Sequence, residues 1–365
     1  MITEYTDCTE FLRLIEDKKI RVAAIKKHLS RQGIILTATN TNCFANDVYT
    51  IMFGGQEIEQ ITQMITSDSN YEKSILVNAQ ITGSSDDVDI LDYFSDRLNI
   101  LRSSPFPPYS VQQPIKTNKM VTINLAYTRT LPGKNRLIQN ETRYIKIIIH
   151  KQTSSKVSID IRQPSSLDTQ RSITFLQKLI DEGENSLIQL NHININLLSS
   201  KNKVQFFDDI SAHSFANWRL KTITGITVKQ NEYQDDETES EIDDEDTTGT
   251  LAGISKAVLN GSGLRSNEFV QKSLEQGYYI SSMKYRYICT QENGEFIISI
   301  SSKDQNLRVD IEKSYSEEDG SLFVLPFPKE QQNEIIRSFQ QTANQYYNRL
   351  LEEQKRVIKT NKREI

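Results

Sequence analysis

An acidic run at residues 232–246 limits how this chain can fold. It holds ten Asp and Glu residues and no Lys or Arg, with only Tyr233 and Ile242 as large apolar residues. Such a composition does not bury enough apolar surface to fold by itself, so we expect a disordered loop. Without the run, 38 acidic residues remain against 43 basic ones, a net charge of +5 instead of −5. The run therefore divides the chain and conceals a mildly basic protein.

Length and proline distribution predict several domains. A chain of 365 residues exceeds the usual size of one domain. Pro105, Pro107, Pro108 and Pro114 fall close together, and proline favours stiff linkers because it fixes φ and removes a hydrogen-bond donor. The predicted divisions are a helix-rich mixed domain at 1–102, a Pro-rich linker at 103–118, an antiparallel sheet with helices at 119–230, the acidic loop at 231–250 and a β-β-β-α segment at 251–365.

Apolar periodicity predicts an α+β fold with antiparallel sheets. Val121, Ile123, Leu125 and Tyr127 alternate with polar residues, which is typical of a half-buried strand. Further meander strands are predicted near 144–150 and 157–161, before a helix over 168–181. In the first 102 residues we expect mostly helices, among them 22–31, and short strands at 34–36 and 48–53. The pattern from Lys329 to about Lys359 predicts a long C-terminal helix.

The order of three strands and a helix occurs on both sides of the acidic run. Ile159-Asp160-Ile161 and Val309-Asp310-Ile311 end comparable strands. The inward-facing parity agrees for one strand and is reversed for another, which requires a bulge or an insertion. The sequence leaves open whether the two segments arose by duplication.

Cations are concentrated between residues 116 and 156, where nine of them accompany the single Glu141. A basic sheet with nearby tyrosines is typical of surfaces that track a phosphate backbone and stack bases. The other interpretation is a solvated strand face on which lysines protect the edges. The candidate nucleic-acid-binding residues here are Lys116, Lys119, Arg129, Lys134, Arg136, Arg143, Lys146, Lys151 and Lys156.

A second basic cluster lies on the N-terminal helices. Lys26, Lys27 and Arg31 are its candidate nucleic-acid-binding residues. Two short basic helices can present one helix to a groove, although charged helical hairpins are common and no third helix is evident.

The C-terminal helix carries apolar residues with heptad-like spacing. Such a seam favours either packing on its own domain or pairing with a partner helix, including a homodimer. The candidate oligomerisation residues are Ile336, Phe339, Ala343, Tyr346, Leu350 and Val357.

We identify no catalytic motif, metal site or cofactor site. The four histidines lack the spacing of metal ligands. The nearest pattern to an enzyme is Asp310 and Glu312 on one strand face, but the adjacent Lys313 points to the opposite face from the one that a metal-dependent nuclease would use. Enzyme status stays undecided, leaning towards a non-enzyme.

Cysteine usage and the N-terminus predict a cytoplasmic location. Cys8, Cys43 and Cys289 are too few and too dispersed for a disulfide framework, and no signal peptide or membrane span is evident. The leading hypothesis is a non-enzymatic intracellular nucleic-acid-associated protein or complex subunit, its basic sheet masked by the acidic loop. The sequence leaves open whether the nucleic acid is DNA or RNA. The alternatives are a protein–protein scaffold that assembles through the C-terminal helix, or a metal-dependent nuclease.

Overall fold

The chain folds into helices and antiparallel strands. The described residues form seven α-helices and thirteen strands, and the C-terminal helix is the longest helix. Neighbouring strands in the described part of the chain pair in antiparallel fashion. This confirms the α+β class and the long terminal helix. The computed structural model describes residues 12–13, 15, 22–38, 40–51, 71–81, 89–103, 109–130, 140–162, 166–181, 188–230, 256–261, 263–291, 294–303, 306–318 and 321–361. The acidic run lies outside them.

Element bounds are numbered here in chain order. The helices are α1 Val22–Arg31, α2 Thr41–Tyr49, α3 Ile90–Ser103, α4 Ser166–Asp181, α5 Ser200–Ala212, α6 Glu268–Glu275 and α7 Lys329–Asn361. The strands are β1 Lys73–Ile81, β2 Ser110–Val111, β3 Ile115–Lys116, β4 Met120–Thr130, β5 Asn140–Lys151, β6 Lys156–Arg162, β7 Ile188–His192, β8 Trp218–Lys229, β9 Lys256–Asn260, β10 Tyr279–Cys289, β11 Gly294–Lys303, β12 Asn306–Glu318 and β13 Ser321–Val324.

Two compact units divide these elements. The smaller comprises Met1–Asn70, Ser104–Gln112 and Asn124–Tyr144, and the larger comprises Tyr71–Ser103, Gln113–Ile123 and Ile145–Ile365. The domain boundaries expected from the sequence stay predictions.

In the smaller unit, α1 and α2 share an apolar cluster. Ile25 and Leu29 of α1 pack with Phe44 and Val48 of α2. The strands predicted at 34–36 and within 48–51 are wrong, because 34–36 has no regular structure and α2 continues to Tyr49. The side chain of Asn40 caps α2 by accepting a hydrogen bond from the Cys43 N–H at 2.8 Å, and such a cap offsets an unpaired N–H of the first turn.

In the larger unit, β1 has a central position that the sequence interpretation had left unassigned. One edge of β1 pairs with β6, and the other pairs with β12 and then β7. The strand order of this unit is β5-β6-β1-β12-β11-β10-β8-β9, with β13 beside β12. Most of β1 is buried, from Ser74 to Val77 continuously. A strand covered on both faces lacks the alternation that revealed β4.

Helix α7 packs along one face of this sheet. Phe339 stacks on Phe215, with ring centroids 4.3 Å apart, and makes an edge contact with Tyr287 of β10 at 5.1 Å. Ile298 and Ile300 of β11 extend the same core. This aromatic core supplies the apolar burial that holds α7 in place.

The opposite face of β5 and β6 meets α3 instead. Lys151, which lies on the same sheet face as Ile149, forms an ion pair with Asp89. Asp89 immediately precedes α3. Tyr93 of α3 donates a hydrogen bond to the Ile180 carbonyl of α4 at 3.4 Å. None of the described helices combines the length and apolar content needed to cross a lipid bilayer.

Candidate functional site

Strand register places a polar set of side chains beside α7. In β5 and β6, Lys146 lies opposite Arg162, Ile148 opposite Asp160 and His150 opposite Ser158, so all six share one sheet face. Gln340 of α7 donates a hydrogen bond to Asp160 at 3.0 Å, which identifies this face as the one that α7 covers. This face of β5 and β6 therefore borders the C-terminal helix, and we name the border the helix-side groove.

A buried polar network forms the floor of this groove. The guanidinium of Arg162 donates to Asp160 Oδ2 from Nε at 2.7 Å and from Nη2 at 2.6 Å. Ser74 of β1 donates to Asp160 Oδ1, and Gln340 donates both to that oxygen and to Ser74. All four side chains are buried, so the carboxylate is satisfied by donors from two strands and a helix.

The network continues towards the start of α7 through Glu72. Arg162 Nη1 lies 3.5 Å from Glu72 Oε2, an ion pair without a well-aligned hydrogen bond. Lys329 donates to Glu72 at 2.7 Å, and the Glu72 N–H donates to Gln332 at 2.8 Å. These contacts fix the first turn of α7 against the beginning of β1.

Three exposed cations border the groove. Lys146, Lys156 and Arg337 have no ion pair within 4 Å among the residues that the structure describes. Burial lowers the pKa of His150, and the positive charge of Arg337 lowers it further. His150 is therefore neutral near pH 7, and the border keeps a surplus of positive charge from three side chains.

Beyond Lys156 the groove opens into a cleft of about 540 Å³ lined by carboxamides. Asn78 of β1 lies opposite Asn191 of β7 and donates to Asn344 of α7 at 3.0 Å. Asn348 donates to the same Asn344 oxygen at 3.1 Å. The carboxamide residues that line the cleft are Asn78, Gln80, Gln152, Asn191, Asn344 and Asn348.

The cleft has hydrogen-bonding capacity left over and little net charge. Asn78 Oδ1 is buried and has no hydrogen-bond donor among the described residues. Lys156 and Glu352 are the cation and the anion of its lining, and Leu197 and Leu351 add apolar walls. A carboxamide presents a hydrogen-bond donor and an acceptor side by side. This cleft therefore suits an uncharged ligand that also carries an adjacent donor and acceptor, as the edge of a nucleic-acid base does.

Of the predicted meander cations whose side chains the structure describes, Lys146 and Lys156 lie at the groove. Lys116 and Lys151 instead form ion pairs with Asp92 and Asp89 beside α3. The hydrogen bond with Asp92 raises the pKa of Lys116, and the hydrogen bond from Lys151 lowers the pKa of Asp89. These two lysines are neutralised on the opposite face.

The other predicted cations are dispersed or undescribed. Lys119 is exposed in a turn and Arg143 is half-buried in the smaller unit. Lys26 Nζ lies 5.5 Å from the Phe44 ring centre, and Arg31 is exposed at the end of α1. The side chains outside the described set are those of Arg129, Lys134, Arg136 and Lys27.

The heptad seam of α7 packs on the chain's own sheet. Its four buried members are Ile336, Phe339, Ala343 and Leu350. Tyr346 is partly buried against the same core, and Val357 is 60% exposed. In this fold the buried positions are therefore unavailable to a partner helix, and the alternative of packing within the domain accounts for the seam.

The carboxylates considered for a nuclease are engaged in ion pairs. Asp310 lies 3.2 Å from Arg308, and Glu312 lies 3.2 Å from Lys284. Burial raises the pKa of Asp310. Over the described residues, no group of three or more His, Cys, Asp and Glu side chains is arranged to hold a metal ion.

Sequence reasoning missed the helix contribution to the groove. Arg337, Gln340, Asn344 and Asn348 follow one another at intervals of three and four, so they form a polar stripe beside the apolar seam. That spacing was legible in the sequence. Its partner strand β1 was not assigned, so nothing linked the stripe to the meander.

Comparisons with known proteins identify no family for this chain. No family model matches it, and no curated protein matches it. Among solved structures, the chain is similar to the crystal structure of DynU16, a protein from the dynemicin biosynthetic locus. The sequence identity is 7% and the TM-score is 0.16, over 77% of this chain and 98% of that chain. At this level the likeness supports no inference about fold or function.

Proposed function

We propose that the protein is a non-enzymatic, intracellular nucleic-acid-associated protein that binds a single strand in the helix-side groove. The observation that carries the proposal is the surplus of positive charge from Lys146 and Lys156 on one sheet face and from Arg337 on the adjoining α7, next to a carboxamide-lined cleft. Cations would contact phosphates, which supplies affinity regardless of sequence. The carboxamides would contact base edges, as Asn and Gln do when they bind adenine.

The combination favours a single strand over a duplex. The Watson–Crick edges of unpaired bases are free to enter a cleft, whereas a duplex hides them. The cations along one helix–sheet border would contact the phosphates of one nucleic-acid strand, not those of both strands of a duplex. RNA and DNA share this chemistry, so both belong in the test.

Fluorescence anisotropy with labelled RNA and DNA homopolymers tests the proposal. The intact protein is compared with a variant carrying Lys146→Gln, Lys156→Gln and Arg337→Gln. Three phosphate contacts on a single strand give a slope of about −2 for log affinity against log salt. The variant should bind at least tenfold more weakly and lose most of this slope.

A matched control removes three exposed cations from other places. Lys201, Arg219 and Lys313 are exposed, and changing each to Gln alters the net charge equally. This control should bind within about twofold of the unmodified protein. Equal weakening in both variants would assign the binding to net charge alone, and an absence of binding at low salt would refute the proposal.

The carboxamide cleft is tested by a second pair of substitutions. Asn191→Ala and Asn348→Ala leave the charge unchanged and remove amide groups from the cleft lining. We expect these variants to lose preference among the homopolymers while keeping the salt slope. An unchanged preference would exclude the cleft from base recognition.

A further inference from the structure

Strand β13 exposes consecutive large apolar residues at a sheet edge. Leu322, Phe323, Val324 and Leu325 are 44%, 53%, 55% and 50% exposed, respectively. Among the described residues β13 pairs with β12 alone, along Tyr315–Glu318. Natural proteins usually protect such an edge with charge, proline or a covering element, so an apolar edge of this kind indicates a binding surface.

The register shows which backbone groups the edge offers. The Leu325 N–H donates to the Ser314 carbonyl at 3.1 Å, and Phe323 lies opposite Ser316 two residues earlier. In an antiparallel ladder, the residues between such pairs direct their N–H and C=O groups away from the partner strand. Leu322 and Val324 therefore present their backbone groups to the free edge of β13.

A preformed cleft of about 630 Å³ adjoins the end of this strand. Phe323 shares a sheet face with Ser316, which lines the cleft together with Trp218 and Phe327. The Phe327 N–H donates to Ser314 Oγ at 3.0 Å, and Gln332 donates to the Phe327 carbonyl at 2.7 Å. These bonds hold the segment after β13 in place, so little ordering is needed when a ligand binds.

The charged residues that line the cleft are both acidic. Glu330 and Glu334 line the cleft and are exposed, and Glu317 is exposed on β12 opposite Leu322. A second copy of the chain would bring the same carboxylates to the interface, and the acidic run at 232–246 carries the same sign. Repulsion therefore disfavours both as occupants, whereas a basic segment is attracted.

We propose that the free edge of β13 and its cleft bind an extended segment of a partner protein in which apolar and basic residues alternate. Strand addition gives affinity through backbone hydrogen bonds and specificity through alternate side chains. Apolar side chains of the segment contact Phe323 and Trp218 on the cleft face, and its basic side chains point to the opposite face, where Glu317 lies. Glu330 and Glu334 of the cleft attract the positively charged segment at longer range. The site lies apart from the residues of the helix-side groove and does not depend on nucleic-acid binding.

The test uses the full chain and a labelled short peptide that alternates lysine and valine. Val324→Pro removes an outward N–H without removing a bond of the β12 ladder, because only the neighbouring residues donate to β12. We expect this variant to bind the peptide at least tenfold more weakly at an unchanged thermal midpoint. Phe323→Ser should weaken binding severalfold, whereas Val357→Ser, at an exposed apolar residue of α7, should have no effect.

Two further peptides separate the possible causes of binding. Replacement of lysine by glutamate should abolish binding if the carboxylates select the charge, and replacement of valine by serine should abolish it if the apolar residues do. Equal binding of the glutamate peptide, or no binding of the lysine–valine peptide, would overturn the proposal. So would a concentration-dependent dimer that Val324→Pro dissociates, because it would assign the edge to a second copy of this chain.

Discussion

Asp160 and Arg162, two residues apart on β6, form a buried ion pair beneath the C-terminal helix. The Nε–Oδ2 distance is 2.7 Å, and both side chains are at least 95% buried. Their shared face follows from the two-residue period of a strand. With Ser74 and Gln340 completing the hydrogen bonds, the pair specifies how β1, β6 and α7 align.

Removal of one partner of this pair should destabilise the protein strongly. We expect Arg162→Met to lower the free energy of unfolding by about 3–5 kcal/mol, because Asp160 would stay buried without its counter-ion. Urea denaturation measures the loss. Lys272→Met, which breaks an exposed ion pair with Glu268 on α6, is the control and should leave the free energy of unfolding nearly unchanged. Similar losses in the two variants would contradict the inferred role of the pair.

Gln340 should matter more than its exposed neighbour Gln341. Gln340→Ala leaves buried acceptors on Ser74 and Asp160 short of a donor, at a cost of about 1–3 kcal/mol. Gln341→Ala changes an exposed helix position and should stay within about 0.5 kcal/mol. Thermal unfolding of both variants is the measurement, and an equal effect would argue against the network.

Phe339→Ala should identify the seam of α7 as core. The ring is fully buried against Phe215 and Tyr287, so its truncation should cost about 3–5 kcal/mol. We expect Val357→Ala to be nearly neutral because Val357 is exposed. Sedimentation of both variants shows whether the seam supports a dimer instead. A monomeric Phe339→Ala variant with native stability, obtained from a dimeric parent, would favour that alternative.

His150 should make stability dependent on pH below neutrality. Burial lowers its folded-state pKa, so the unfolded chain binds the proton first as the pH falls through about 6.5. Stability is therefore retained above that pH and declines below it until the folded protein is also protonated. His150→Gln should flatten the profile of unfolding free energy between pH 7 and 5. Identical slopes in the two proteins would show that other groups control this range.

Deletion of 232–246 should strengthen nucleic-acid binding if the acidic run competes for the groove. The deletion removes ten carboxylates and changes the net charge from −5 to +5. We expect tighter binding at low salt and a convergence of the two proteins at high salt, because screening weakens the competition. Anisotropy titrations across salt concentrations measure both. Unchanged affinity at low salt would show that the acidic run does not compete for the groove and acts only as a linker.

The sequence predicted the helices and strands that have one buried face and one solvent-exposed face. The alternation in β4 and the long apolar pattern of α7 are local signals, and both elements formed as expected. Strand β1 was missed because it is buried on both faces, and β13 was missed because four residues give little periodicity. Helix α2 begins after its capping residue Asn40 and runs to Tyr49, so it includes the first two residues of the strand predicted at 48–53.

The candidate groove was only half visible in the sequence. Lys146 and Lys156 were predicted because they lie in a cation-rich segment, yet charge density along the chain does not determine the face of the sheet. Cross-strand register separates them from Lys151, which alternates onto the face of α3. Arg337 and Asn344 enter the groove from almost 200 residues away in the chain, a distance that no local pattern encodes.

The central position of β1 has a consequence for the order of folding during synthesis. Ser74 finds one of its partners, Asp160, 86 residues later and another, Gln340, 266 residues later. The ribosome has therefore made the chain from β1 through α7 before β1 acquires both its neighbouring strands and its covering helix. Until then the apolar strand β1 lacks its pairing partners, and contacts between residues this distant in sequence form slowly. We therefore expect nascent chains that stop before α7 to depend on chaperones.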